Sequence, residues 1–146
     1  MNIKVEQPVA VICIFIWIGF VCAISFMESW LKFKAPGVTR PIGLGIGRVV
    51  FNALNKMEWL LAFIVLWSVA LNETIPPFQQ IGYFLAVLVI LALQSFWLLP
   101  QLDIRAKAVI SGLPVKPSHL HLYFIIAETL KLCGLVASGI FLFKQP

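Results

Sequence analysis

Residues Pro8–Met27 form a run of 20 without one charged side chain. A helix needs about 20 mostly apolar residues to cross the hydrocarbon core of a bilayer. The run is also longer than the roughly 7–15 apolar residues of a cleaved signal peptide. Only Lys4 precedes it, so it reads as a retained span, although Ala23-Ile24-Ser25 loosely fits a cleavage site. Two further runs have the same character. Ile81–Leu99 is interrupted by Gln94, and Leu122–Phe143 carries Glu128 and Lys131. A fourth run, Trp59–Leu71, has 13 residues. At 1.5 Å per residue it covers only about 20 Å, short of a core of about 30 Å. Its span must therefore begin earlier, near Val49, which takes Asn52, Asn55 and Glu58 below the membrane surface.

The expected fold is all-α, a membrane-embedded four-helix bundle in one domain, with spans at about 8–27, 49–71, 81–99 and 122–143. Composition agrees: 61% of residues are apolar and 12% charged, where soluble domains carry about 25% charged residues. A soluble globule, a disordered chain and a secreted disulfide scaffold are excluded. Ala35-Pro36-Gly37, Arg40-Pro41 and Pro76-Pro77 punctuate the chain. Gly112 followed by Pro114 is a helix stop. Pro100 reads as a bend within a third helix that continues to about Ser111. Gly43-Leu44-Gly45-Ile46-Gly47 has no lysine or strand of a phosphate loop and reads as a flexible or tightly packed start to the second helix.

Charge sets the expected orientation. The connection 28–57 holds Lys32, Lys34, Arg40, Arg48 and Lys56, and the connection 100–121 holds Arg105, Lys107 and Lys116. The opposite side has Lys4 and Lys144. Basic residues concentrate on the cytoplasmic side, so both termini are expected on the non-cytoplasmic side, in a membrane of the bacterial inner (plasma) type. This bias and anionic lipid account for the net charge of +5 without a nucleic-acid partner. Cys13, Cys22 and Cys133 fall inside spans and read as small packing residues, not disulfides. Asn72-Glu73-Thr74 matches a glycosylation sequon on the outer side.

Polar residues inside spans are costly and usually face partners. Counted from Val49, Glu58 lies about 13 Å deep; counted from Leu122, Glu128 lies about 9 Å and Lys131 about 13 Å deep; Gln94 lies about 7 Å from the end of its span. The four can meet in one layer. Arg48, Asn52, Asn55 and Glu58 share a wedge of about 120° on the second helix, and His121, Glu128 and Lys131 one of about 100° on the fourth. Glu128 and Lys131, three apart, can pair within their helix. These eight residues are the candidate ligand-binding set, with Glu28 adding a carboxylate at the surface. Gly19 with Ala23, and Gly134 with Ser138, are candidate helix-packing positions.

No Ser/His/Asp arrangement or nucleotide motif points to an enzyme. Four-helix di-metal sites place His three residues after Glu; here Lys131 holds that position, so no metal is expected. His119 and His121 are too close in sequence to share a face. The outer half of every span is apolar, which argues against a continuous pore. The expected role is a binding, transport or accessory membrane module with no cofactor. Its partners are the lipid bilayer and either further copies of the chain or a larger membrane complex.

The segment Arg48-Val49-Val50-Phe51-Asn52-Ala53-Leu54-Asn55-Lys56-Met57-Glu58 resembles the second helix of the membrane-associated eicosanoid and glutathione metabolism (MAPEG) superfamily. That helix carries Arg, then Asn seven residues on, then Glu three further, as at Arg48, Asn55 and Glu58. Phe33-Lys34 and the proline-containing loop are also similar. The chain departs at Phe51, where the family has a second Arg, and at Leu61, where it has Pro. The resemblance implies a trimeric glutathione-dependent transferase, with glutathione held between subunits by Arg48, Asn55 and Glu58.

Overall fold

The computed structural model describes residues 7–71 and 78–143. The sequon at Asn72 lies outside them. The described residues form four long helices and no strand. Helix α1 is Pro8–Lys34 and α2 is Arg40–Ala70. Helix α3 covers 78–110 and α4 is Leu120–Phe143. All four are long and apolar enough to cross a membrane.

Three helices reach further than the apolar runs alone suggest. Helix α1 passes Met27 and ends in a tight 3-10 turn at Lys32–Lys34. Helix α2 begins at Arg40, well before Val49, with Pro41 in its first turn, where a missing amide proton costs nothing. Its glycine run is helical because α1 packs on it. The Phe33 ring sits on Gly43, and Lys32 Nζ lies 2.9 Å from where a side chain on Gly47 would begin. This close approach outweighs the low helix propensity of glycine. With 31 residues, α2 is roughly 46 Å long against a hydrocarbon core of about 30 Å. Set in a bilayer, helices of this length would overhang at the end that carries the 35–39 and 111–119 connections, called here the basic end.

Helix α3 runs through Pro100 to Ile110, as the sequence suggests. A π-helical turn, Gln94–Leu98, stands just before the proline. The wider turn relieves the clash between the proline ring and the preceding carbonyl. Helix α3 then stops as expected: Gly112 takes φ 73°, its amide donates to Val109 O at 3.1 Å, and the Leu113 amide donates to Ala108 O at 2.9 Å. This is a Schellman closure, which needs the left-handed backbone that glycine adopts freely.

Neighbouring helices are antiparallel. The pairs Arg48–Asp103 and Asn55–Ser95 run in opposite senses along α2 and α3. The contacts of Gln94 with Lys131 and of Val87 with Gly134 do the same for α3 and α4. Helix α1 packs between α2 and α4, so the order around the bundle is α1, α2, α3, α4. The apolar core fills the half away from the basic end. It is built on Ala10, Ile14, Trp17, Leu61, Val65, Val87, Leu91 and Leu135. Gly134 is a close-packing position, with Val87 Cγ2 2.7 Å from where its Cβ would be, and Ser138 is fully buried. Gly19 is not: nothing approaches it within 4 Å, because that face of α1 points away from the bundle. Cys13 is buried in the core, whereas Cys22 and Cys133 face outward.

Candidate functional site

Where the apolar core ends, all four helices contribute to one buried polar layer. Lys131 of α4 is at its centre and is 0% exposed. Its Nζ lies 2.5 Å from Glu58 Oε1 of α2. It donates to Glu128 Oε1 of its own helix at 2.7 Å and to Gln94 Oε1 of α3 at 2.8 Å. Gln94 Nε2 in turn donates to Glu128 Oε1 at 2.7 Å. Trp17 of α1 closes the layer by donating Nε1–H to Glu58 Oε1 at 2.8 Å. Three acceptors surround Lys131 Nζ, and an ammonium has three protons to give them. The amide of Gln94 is used at both ends, which fixes its orientation.

The sequence-predicted set divides in two. Glu58, Gln94, Glu128 and Lys131 meet in the layer, as their depths implied. Arg48, Asn52, Asn55 and His121 do not join them. They line a cavity of about 620 Å³ at the basic end. Its walls include Phe33, Phe51 and Phe124 and the aliphatic side chains of Leu44, Leu99 and Leu102. Its cations are Lys32, Arg48 and Lys107, against the single carboxylate of Asp103. Arg48 Nε donates to Asp103 Oδ1, and Lys107 Nζ lies 2.8 Å from Asp103 Oδ2. Lys32 pairs with Glu28 at 3.1 Å. Its ammonium also lies 5.6 Å and 5.5 Å from the ring centres of Phe33 and Phe51. Asn52 and His121 are exposed on the cavity wall.

Asn55 is held by Ser95. Asn55 Nδ2 donates to Ser95 Oγ at 3.0 Å, while that hydroxyl has Asn55 Oδ1 and Leu91 O within 2.7 Å. Trp59 Nε1 donates to the same hydroxyl at 2.9 Å. Ser95 and Gln94 both belong to the π-helical turn of α3. That turn presents neighbouring residues to two different partners, one in the layer and one in the cavity wall.

The sequence-predicted set omits the cavity cations Lys32 and Lys107 and, besides them, Trp17, Ser95, Asp103 and Ser25. Trp17 carries an N–H donor in the middle of the run Pro8–Met27, which was the available signal. Ser95 stands beside Gln94 and is small enough to pass as packing. Asp103 lies beyond Pro100, on the overhang of α3. Ser25 of α1 is buried, and its hydroxyl has no hydrogen-bond partner. Glu58 differs from the role that the family resemblance implies. Its carboxylate is 3% exposed and turned to Lys131 and Trp17, below the cavity that Arg48 and Asn55 line. Comparison of the chain with protein-family models, with curated proteins and with solved structures gives no match.

Proposed function

We propose that this chain is an integral membrane protein that binds a small amphipathic anion in its basic-end cavity, as a binding module or an accessory subunit of a larger membrane complex. The observation that carries the reading is the pairing of three cations with aromatic and aliphatic walls in one cavity of about 620 Å³. That volume is in the range of small-molecule sites. A carboxylate or phosphate head would meet the forked donor of Arg48, with Lys32 and Lys107 adding attraction. An apolar tail would lie against Phe33, Phe51, Phe124 and Leu99. Asn52 and His121 supply further polar contacts at the rim. The apolar packing beyond the layer supports binding over conduction.

The eight-to-two distribution of basic residues supports a cytoplasmic basic end and non-cytoplasmic termini. Reporter fusions after Lys144 and within residues 113–118 check this; a cytoplasmic signal at Lys144 would reverse it.

Glutathione is the alternative ligand, through the MAPEG-like Arg48 and Asn55 on the cavity wall. Native purification in mild detergent, with mass spectrometry of what co-purifies, separates the two. The expected result is an anionic amphiphile retained by the wild type and depleted in Arg48→Ala. Binding heat with millimolar glutathione that disappears in Arg48→Ala would favour the transferase-like reading instead.

A further inference from the structure

Two polar bridges join α2 to α3 along the wall of the large cavity, Arg48–Asp103 and Asn55–Ser95. By helical rise they stand about 11 Å apart on the seam between the two helices. Asn52 of α2 and Leu99 and Pro100 of α3 lie between the bridges, take part in neither, and line the cavity. Asn52 and Pro100 are exposed. Val49 also lines the cavity and is 72% exposed. Helical periodicity puts Val49 on the outward face of α2, with the exposed Ile42, Ile46 and Leu60. A residue of the outward face that lines the cavity means that the cavity runs out to the side of the bundle. Its opening there is a window in the α2–α3 seam, framed by the two bridges.

Depth decides what the window meets. Counted from the opposite helix ends, Ala70 and Ile81, Arg48 and Asp103 both lie about 33 Å along their helices, and Asn55 and Ser95 both lie about 22 Å along. With a hydrocarbon core of about 30 Å beginning at those ends, the outer bridge would stand at the level of lipid headgroups and the inner one among acyl chains. The cavity is graded in the same sense. Phe51 and Leu99 fall at about 28 Å, whereas Arg48, Lys32 and Lys107 fall at about 33–39 Å.

The cationic end is a built site. The Lys32 side chain is 9% exposed and lines the cavity. Its ammonium has three protons, and Glu28 accepts one of them at 3.1 Å. The rings of Phe33 and Phe51 flank it. Asp103 takes the Nε–H of Arg48, and the terminal Nη groups supply a fork that suits a phosphate. Three cations against the one carboxylate of Asp103 favour a net anion.

We infer, resting on the amphipathic-anion reading above, that the occupant is an anionic phospholipid of the leaflet at the basic end, which enters sideways through the α2–α3 window. Its phosphate meets Lys32 and Arg48, and its glycerol esters meet Asn52. Its acyl chains leave over Val49 and Leu99 into the bilayer, so a cavity of about 620 Å³ has only the head end to enclose.

Photo-crosslinking of the full chain in lipid nanodiscs tests this. The probe is phosphatidylglycerol with a diazirine near the ester end of one acyl chain, as a minor component in phosphatidylcholine, and peptide mass spectrometry maps the adducts. Adducts on Val49, Asn52 and Leu99 are expected at least fivefold above those on Met27 and Leu122, outward-facing residues at similar depth. The same label on phosphatidylcholine should show no such enrichment. Asn52→Trp, which narrows the window at an exposed position, should cut the seam adducts at least fivefold, and so should Arg48→Ala. Adducts spread evenly over Val49, Met27 and Leu122, equal enrichment with labelled phosphatidylcholine, or seam adducts undiminished in Asn52→Trp would each overturn the inference. Dodecyl phosphate added from water separates this inference from the reading beneath it. Binding heat that is lost in Arg48→Ala, without seam enrichment of the lipid probe, would overturn the lateral lipid and leave the amphipathic-anion reading standing. Absence of both signals would overturn both.

Discussion

The indole of Trp17 and the carboxylate of Glu58, 41 positions apart, are joined by one buried hydrogen bond of 2.8 Å. It ties the uncharged stretch Pro8–Met27 to the charged layer. Trp17→Phe keeps a ring against Phe84, which it meets edge-on at 6.4 Å, but removes the donor. A buried acceptor deprived of a partner costs about 1–3 kcal/mol. Thermal unfolding in detergent should register that loss for Trp17→Phe. The outward-facing Trp67, 58% exposed, should change stability by about 0.5 kcal/mol or less when replaced by Phe.

Lys131 is predicted to be the most sensitive single position. Lys131→Leu strands Glu58 and Glu128 in an enclosed site, which should cost about 3–5 kcal/mol. Replacing all three with leucine removes the charges together and should recover most of that loss. Folded yield and thermal unfolding of the single and triple variants check this. Losses that simply add would contradict a shared layer.

Asp103 holds Arg48 and Lys107 at the surface of the basic end. The side chains of this trio are 32%, 36% and 59% exposed for Arg48, Asp103 and Lys107. Such pairs contribute little, so Asp103→Asn should shift stability by about 0–1 kcal/mol. It should also free both cations for the cavity. Titration with an anionic amphiphile should then show binding tighter by a few-fold, with a steeper weakening in salt.

Two glycines should respond in opposite ways. Gly134 has Val87 Cγ2 2.7 Å from its would-be Cβ, so Gly134→Val should force α3 and α4 apart and cost about 1–3 kcal/mol. Gly45 has nothing within 4 Å. Gly45→Ala should stabilise α2 by up to about 1 kcal/mol through helix propensity alone. Unfolding midpoints of the two variants measured side by side test the packing.

The four long apolar helices were legible because a chain suited to lipid has few choices: every backbone polar group must be satisfied within the helix. The charged layer was legible for a related reason. Glu58, Gln94, Glu128 and Lys131 stand out against apolar neighbours, and helical rise alone aligns their depths. The cavity was harder to read. It depends on how far the helices overhang, and the glycines of 43–47 disguise that overhang until Phe33 and Lys32 are seen lying on them. Hydropathy also gives no warning of the π-helical turn at Gln94–Leu98, which decides that Gln94 turns inward while Ser95 reaches Asn55. Trp17 was hidden because an apolar count scores its ring and ignores its N–H.

The closed apolar half has a thermodynamic consequence. The large cavity lies at the basic end and stops short of the layer, and beyond the layer lie Ile14, Leu61, Val87 and Leu135. A molecule bound in the cavity would therefore come to equilibrium with the compartment at the basic end. Its occupancy is set by concentration there, whatever the difference across the bilayer. A bundle held in this conformation would respond to one compartment. To do work, α1 or α4 would have to move and expose the layer to the other face.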